Sequence, residues 1–308
     1  MNVLTLALAI LLLIAGAWAV VARSAFAAVS GFIVCGLLLA VVWLILGAPD
    51  VALTEAAIGG GLTGALLFGA CGVLQDSSTV RNSRSVSLRI AGALLSLLVA
   101  CGLGAAFLLL PEPAPGLGGE VRSSMAATGL ENPVTAVLLT FRAWDTLLEK
   151  VVVLLALVGV WSFAPDSLWA GRPGVRYRLD PHVIFLAQVL CPIGIVVGVY
   201  LFWVGASAPG GAFQCATIFA ALWVLVTMAG LADPLPVGRL VVRIAVVAGA
   251  VVFSGIGVAG FFWAGAFLAY PVEFAKPLIL LIEAALTLSV AFTLGLLVAG
   301  SPARGEEP

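Results

Sequence analysis

Five carboxylate residues lie inside, or at the head of, apolar stretches long enough to cross a bilayer. These residues are Asp50, Glu55, Asp145, Glu149 and Glu283. An ionised side chain at the bilayer centre costs roughly 2.5 kcal/mol or more, so such groups usually face protein or water and often serve ion transfer. A carboxylate can hold either a proton or a cation, and this set therefore predicts ion-exchange chemistry within the membrane.

Asp50 and Glu55 stand at the head of one apolar helix, in the stretch GAPDVALTEAAIGGGLTGAL. Pro49 ends the preceding helix, so Asp50 is either the N-cap of the next helix or an ion-handling group, and both interpretations stand. Glu55 lies five residues, about 7 Å, inside that helix, which favours a function. Gly60 and Gly64 have the GxxxG spacing, which predicts the close approach of a second helix.

A second group of charges follows Asn132 and Pro133, in the stretch VTAVLLTFRAWDTLLEK. Arg142, Asp145 and Glu149 are spaced i, i+3 and i+7, so one helical face carries all three. They form either an interfacial ion-pair ladder that anchors the helix entry or a buried charge relay. In the second case Arg142 and Asp145 are a functional pair, and removing either one would strand a partly buried charge.

The C-terminal third contributes a glycine turn and one more carboxylate. Pro209, Gly210 and Gly211 allow two helices to reverse tightly, and Gln214 would enter the membrane near its edge. A plain hairpin is the alternative interpretation of this turn. Glu283 lies about 9 Å inside the last apolar stretch with no cation within a turn, so burial disfavours its ionised form and prepares it for proton exchange.

The composition places the chain among integral membrane proteins. Hydrophobic residues make up 63% of the 308 and charged residues 9%, and the mean hydropathy is +1.22. Because a helix needs about 20 apolar residues to span the bilayer, we predict an all-α polytopic membrane protein with about nine transmembrane helices. The predicted spans are residues 3–21, 25–46, 51–74, 88–110, 136–163, 183–204, 212–231, 240–263 and 278–299.

The placement of charge predicts the orientation of these helices. Alternate connections carry arginines, whereas the opposite connections carry mainly glutamate. By the positive-inside rule, the N-terminus lies outside and the C-terminus is cytoplasmic. The arginines on the predicted cytoplasmic side are Arg23, Arg81, Arg84, Arg89, Arg172, Arg176, Arg178, Arg239, Arg243 and Arg304.

Other chemistries are not indicated by the sequence. The five cysteines fall in predicted helices without CxxC or metal-finger spacing, and His182 is the sole histidine. No GxSxG, HExxH or paired His–acid motif occurs. We expect no catalytic residue, no cofactor, no nucleic-acid partner and no metal site beyond transient Na⁺ binding at Glu55 and Glu283.

The first of these stretches resembles the MbhD-type domain. APDVALTEAAIGGGLTGAL carries the two carboxylates and the glycines of that domain without a gap. The domain forms part of the C-terminal region of the large MrpA subunit of Mrp cation/proton antiporters, and it is a small separate subunit in related membrane-bound hydrogenases. A more distant kinship with the J subunit of respiratory complex I implies that this helix is a candidate hinge.

Two further resemblances cover most of the remaining chain. The stretch FRAWDTLLEK resembles the MbhE-like segment that follows the MbhD domain in MrpA, although Leu148 and Lys150 depart from the pattern. The glycine turn resembles the Pro-Gly-Gly-Gly-Phe turn of MrpB and its following glutamine, with Ala212 in place of the third glycine. Glu283 stands where MrpB-like proteins commonly carry aspartate.

These resemblances imply a division of the chain. The expected units are an MbhD-like three-helix unit at residues 1–76, an MbhE-like two-helix unit at 77–165, a cytoplasmic linker at 166–180, an MrpB-like four-helix unit at 181–301 and a tail at 302–308.

The resemblances imply a non-autonomous subunit of a multi-subunit cation (Na⁺)/proton antiporter of Mrp type, or of a related redox-driven ion-translocating complex. We expect a multi-pass protein of the bacterial or archaeal cell (inner) membrane. Its partners would be large antiporter-like subunits, a small MrpC-like subunit and the lipid bilayer. The large antiporter-like helix bundle of MrpA is missing, so the chain is expected to be a transporter subunit, not an enzyme, and not to pump alone. The alternative is a structural adaptor that joins other membrane subunits without carrying ions.

Overall fold

The structure, a computed structural model, describes residues 3–75, 86–111, 116–164, 180–233 and 235–300. Within these ranges all regular structure is helical and no strand occurs, which confirms the predicted all-α class. Part of the predicted orientation signal lies outside the described residues. The predicted features that lie outside the described residues are linker residues 166–179, the tail at 302–308, and Arg81, Arg84, Arg172, Arg176, Arg178 and Arg304.

The N-terminal unit is a helical hairpin followed by one long interrupted helix. Its helices are α1 (Val3–Val21), α2 (Ala25–Ile45), α3 (Pro49–Thr54), a first π-helix (Glu55–Leu62) and α4 (Thr63–Gln75). Ser24 begins α2, because its hydroxyl accepts a hydrogen bond from the Ala27 N–H at 3.2 Å. The first π-helix packs against α2, where the Gly60 backbone lies against Gly36.

One span stands apart from the rest of the described chain. Helix α5 (Val86–Leu108) has no buried side chain among those described, and a short helix, α6 (Gly118–Ser124), and a 3₁₀ turn (Met125–Thr128) follow it. Because α5 is apolar on all sides, its neighbours in the membrane must be lipid or another subunit.

The central helix is also interrupted by a π-helix. Asn132 caps α7 (Pro133–Ala136) through its side-chain oxygen, which accepts from the Val134 N–H at 2.9 Å. A second π-helix (Val137–Phe141) and α8 (Ala143–Trp161) continue the span. Arg142 separates them with a non-helical backbone (φ −128°, ψ 35°).

The C-terminal unit contains four long helices and supplies most of the core. They are α9 (Pro181–Val204), α10 (Ala212–Met228), α11 (Leu240–Ala264) and α12 (Ala275–Ala299). Helix α12 packs against α8, α10 and α11 at once, and Ile279, Ile282 and Leu286 along it are fully buried. It therefore joins the central helix to the C-terminal unit.

Seven helices of the described chain are long and apolar enough to cross a membrane. Two of the predicted spans are weaker candidates for physical reasons. Helix α8 has 19 residues but carries Asp145, Glu149 and Lys150, and α10 has only 17 residues. The protein is thus a multi-pass membrane protein, whereas the count of nine and the orientation stay predictions.

Candidate functional site

A cavity of about 790 Å³ is lined by residues of the N-terminal unit, the central helix and the C-terminal unit. The head of α3, the second π-helix with α8, the turn before α10, and α12 all contribute to its wall. Most of the lining is apolar, and the polar side chains are few. These are Asp50, Thr54, Thr135, Asp145, Thr146, Glu149, Gln214 and Glu283. The fold therefore brings together four of the five carboxylates that the sequence singled out.

Glu283 is the most deeply buried carboxylate of this cavity. Its residue is only 2% exposed and lies eight residues, about 12 Å, inside α12. The Ala212 backbone N–H donates a hydrogen bond to the carboxylate, and Oε2 has no hydrogen-bond partner in the described part of the chain. A buried carboxylate with a free oxygen can accept a proton or a cation at that oxygen.

The glycine turn is placed against Glu283 by its unusual backbone. Gly210 and Gly211 have φ of +154° and +125°, a conformation that side-chain-bearing residues rarely adopt. A Cβ atom on Gly211 would lie 3.5 Å from Glu283 Oε1 and 3.6 Å from Gln214 Oε1. Pro209 precedes these two residues in the same turn. Because these glycines carry no side chain, the turn allows Glu283 of α12 to lie close to the start of α10.

Asp50 joins this turn to the N-terminal unit. Its Oδ1 accepts from the Gly210 N–H at 3.1 Å and from Asn132 Nδ2 at 3.4 Å, and Asn132 Nδ2 also donates to the Ala208 carbonyl at 3.0 Å. Helix α3 begins after Ala48 without a side-chain cap, so the capping interpretation of Asp50 is wrong. Three segments far apart in sequence therefore share one buried carboxylate.

Gln214 makes a second link between the same units. Its Nε2 donates to Thr54 Oγ1 at 3.0 Å, and Thr54 in turn donates to the Asp50 carbonyl at 3.0 Å. The amide oxygen of Gln214 is left facing the Gly211 side of the cavity. Gln214 is 8% exposed, so its position is set by these contacts and not by solvent.

Glu55 lies elsewhere, outside the cavity lining. It begins the first π-helix and is half-buried. Its Oε1 lies over Gly59 and near Gly36 of α2, since Cβ atoms built at those glycines would be 2.2 Å and 3.5 Å away. The contacts of Gly60 and Gly64 are also with α2, at Leu37 and Ile33. Glu55 is thus separated from the four cavity carboxylates.

Arg142 and Asp145 form an ion pair at the mouth of the cavity. Arg142 Nη2 lies 2.6 Å from Asp145 Oδ2, and the two side chains are 71% and 45% exposed. Glu149 faces the same cavity one turn further along α8 and is an exposed residue. The chain alone therefore places this pair at its surface, and the cost of a deeply buried charge does not apply to it.

This exposure sets the expected effect of breaking the pair. In a double-mutant cycle of Arg142→Ala and Asp145→Ala, we expect a coupling energy of about 0–1 kcal/mol in the isolated chain, because exposed pairs contribute little. The measurement is the thermal unfolding of the chain in detergent. A coupling of about 3 kcal/mol or more in the assembled complex, but not in the isolated chain, would mean that a partner subunit buries the pair.

Three residues contribute more to this region than the sequence suggested. Asn132 caps α7, and its side-chain amide also contacts Asp50 and Ala208. Gly205 was not singled out, although a Cβ there would lie 2.5 Å from the Gly211 Cα. Lys150 is fully buried, with an exposure of 0%. A lysine inside an apolar helix is rare and costly, so this position in the sequence is a signal that could have drawn attention to Lys150.

Comparisons with known proteins match this architecture. The MbhD family model, which describes the D component of MBH, matches residues 10–76. The model of a domain related to the MnhB subunit of Na⁺/H⁺ antiporter matches residues 183–302. Together the two models cover more than half of the chain. No curated protein shows significant similarity to it.

Two solved structures share the fold. One is the structure of the Mrp complex from Dietzia sp. DQ12-45-1b, which matches all of this chain and 36% of its own chain at 24% identity and a TM-score of 0.75. The other is the structure of the membrane-bound sulfane sulfur reductase, an archaeal respiratory membrane complex. The match covers 70% of this chain and 98% of that chain, at 24% identity and a TM-score of 0.54. The chain thus spans about a third of the Mrp chain that it matches.

The two models cover the helices that carry Asp50 and Glu283, and both residues line the cavity. The chain is therefore an Mrp- and MBH-like membrane protein, in which an MbhD domain and an MnhB-related domain belong to one polypeptide.

Proposed function

We propose that the chain is a non-autonomous subunit of an Mrp-type cation/proton antiporter, or of a related redox-driven membrane complex, and that it contributes carboxylates to the ion path. The observation that carries this proposal is the cavity in which Glu283 meets Asp50, Asp145 and Glu149. The solved structures that share its fold are an Mrp complex and a respiratory membrane complex.

The geometry suggests how the cavity exchanges ions. Glu283 Oε2 has no hydrogen-bond partner among the described residues, and Glu283 Oε1 and the amide oxygen of Gln214 both lie beside Gly211. A sodium ion that sheds water needs such oxygen ligands, and a proton needs the same carboxylate oxygen. Because both cannot occupy Glu283 together, binding of one releases the other. Asp145 and Glu149 at the open side would draw cations towards it.

The first π-helix supports a hinge at Glu55, the carboxylate that lies outside the cavity. π-helical turns are rare and occur frequently at functional sites, and this one begins at Glu55 and ends at Leu62. Three consecutive glycines lie within it, Gly59, Gly60 and Gly61, and mid-helix glycine weakens a helix by about 1 kcal/mol each. We propose that this segment rearranges during transport and moves Glu55, which would bind Na⁺ transiently.

Other subunits must complete the ion path. Leu148 and Val152 line the cavity and are 53% and 63% exposed, so the wall along α8 is open in this chain. An ion path open to lipid is costly, and we propose that a partner subunit covers this wall. The proposed partners are large antiporter-like subunits and a small MrpC-like subunit, together with the lipid bilayer.

A structural adaptor is the second candidate function. The Asp50 carboxylate, Asn132 and the Gly210 N–H join the three parts of the chain, and such a joint serves an adaptor equally well. The two functions differ in their need for titratable groups, since an adaptor needs neither Glu55 nor Glu283.

The test is cation-driven proton flux in vesicles that contain the assembled complex. Glu55→Gln keeps the size of the side chain and removes its charge, so the complex should remain intact on a native gel while flux falls several-fold. Glu120→Gln, on the exposed helix α6, is the matched control and should transport like the parent. If Glu55→Gln and Glu283→Gln both transport like the parent, the adaptor function is correct.

A further inference from the structure

Lys150 occupies an unusual position for a lysine. It lies on α8 with no exposed surface, on the side of that helix that packs against α11 and α12. Its Nζ donates a hydrogen bond to Thr293 Oγ1 at 3.0 Å. It does not line the cavity, although Thr146, one turn earlier on α8, and Glu149, its neighbour, both do.

No carboxylate of the described chain forms an ion pair with this amine. The ion pair at the start of the same helix joins Arg142 and Asp145 instead. Helix α11 carries a single ionisable residue, Arg243, and its Nε donates to the Val237 carbonyl. Helix α12 carries Lys276 and Glu283, and Glu283 precedes Thr293 by ten residues, about 15 Å along the axis.

Such a lysine is hard to explain by packing alone. An uncompensated ammonium inside a helix bundle is costly, and methionine or leucine would fill a similar volume without that cost. The neutral amine, in contrast, is tolerated in an apolar setting. A buried lysine without a counter-charge is therefore suited to gaining and losing a proton.

Hydroxyl groups extend from Lys150 along α12. Thr293 Oγ1 accepts from Lys150 and donates to the Ser289 carbonyl at 2.6 Å, and Ser289 donates to the Val246 carbonyl of α11. A hydroxyl can donate and accept at once, so Thr293 can accept a hydrogen bond from Lys150 in either state of the amine while it donates to Ser289. Polar groups are thus present in the contact between α8, α11 and α12, next to Lys150.

We propose that Lys150 is a second proton-binding group of the ion path, one that binds a proton as an ammonium and releases it as a neutral amine in each transport cycle. This inference rests on the proposed function and goes beyond it, because a residue outside the cavity takes part. Thr146 and Lys150 are one turn apart, and side chains at that spacing lie about 5–6 Å from each other at Cβ. A cation that enters the cavity therefore repels the ammonium at short range and favours release of its proton.

Two substitutions at Lys150 test this in the assembled complex. Lys150→Met cannot bind a proton and Lys150→Arg cannot release one, so both should lower cation-driven proton flux in vesicles by about tenfold or more. Lys276 is the only other lysine of the chain and is exposed, so Lys276→Met is the matched control and should transport like the parent. Parent-like flux in an assembled Lys150→Met complex would overturn the proposal, and so would full flux in Lys150→Arg.

A third variant keeps the proposal testable if those complexes fail to assemble. Thr293→Val leaves Lys150 in place and removes its hydrogen-bond partner, which disfavours the ammonium. The pH of half-maximal flux should then move down by about 0.5–1 unit, a shift that a merely structural lysine would not produce. An unchanged pH profile in Thr293→Val would contradict a proton-binding role.

The outcome can be separated from that of the proposed function. If Glu283→Gln loses flux while Lys150→Met keeps it, the carboxylate path stands and Lys150 is not part of it. If the glutamine variants of Glu55 and Glu283 both keep full flux, the proposed function itself fails, whatever Lys150 does.

Discussion

Replacing Glu283 with glutamine is expected to reduce cation-driven proton flux by at least about tenfold while the complex still assembles. The amide keeps the size of the side chain and can still accept from the Ala212 N–H, so packing around α12 should survive. It removes the carboxylate of the cavity that is both deeply buried and provided with a free oxygen. The measurement is proton flux in vesicles at several sodium concentrations, with assembly followed on a native gel.

Two further variants test whether the loss of flux is specific to the Glu283 carboxylate. Glu273→Gln changes an exposed glutamate in the short turn before α12 and should leave flux unchanged. Glu283→Asp keeps a titratable group but shortens it by one methylene, so it should retain part of the flux. Loss of flux in Glu273→Gln would instead indicate a general effect of surface charge, and parent-like flux in Glu283→Gln would contradict the assignment of this residue.

Replacing Gly205 with alanine is expected to destabilise the protein by about 1–3 kcal/mol and to lower the yield of assembled complex. Gly205 has an ordinary helical backbone (φ −56°), so alanine introduces no conformational strain there. Its Cβ, however, would lie 2.5 Å and 2.6 Å from the Gly211 Cα and N, which are backbone atoms that cannot rotate away. The Gly205 carbonyl also accepts from Thr135 Oγ1 at 2.7 Å, so a shift of the turn would break that bond.

The control is an alanine at a glycine with free space. A Cβ on Gly255 in α11 would meet no atom within 4 Å, and alanine favours a helix over glycine by about 1 kcal/mol. Gly255→Ala should therefore be neutral or stabilising in thermal unfolding of the purified complex. Equal unfolding temperatures for the two variants would show that the turn can relax and that the close contact is unimportant.

The sequence by itself determined the class of this protein. Long apolar stretches with rare charges have few alternatives to membrane-spanning helices, because backbone groups in lipid must be hydrogen-bonded within the segment. The same rarity singled out Asp50, Asp145, Glu149 and Glu283, since each charge in such a stretch is costly and stands out.

The tertiary structure decided which of these charges meet. Glu55 and Glu283 look alike in sequence, as acidic residues near the head of an apolar helix. Only Glu283 reaches the cavity, whereas Glu55 lies against Gly36 and Gly59. The reason is that these helices are apolar on every side, so their sequence does not reveal which face meets another helix.

The same reason applies to Asp50 and Lys150. Sequence reasoning placed Asp50 at a helix start but could not supply the Gly210 N–H, which lies 160 residues away. Lys150 follows Glu149 directly in sequence, yet the packing of α12 on α8 puts the amine beside Thr293 and the carboxylate at the cavity. Contacts between distant segments depend on how whole helices dock, and no local pattern of residues encodes that docking.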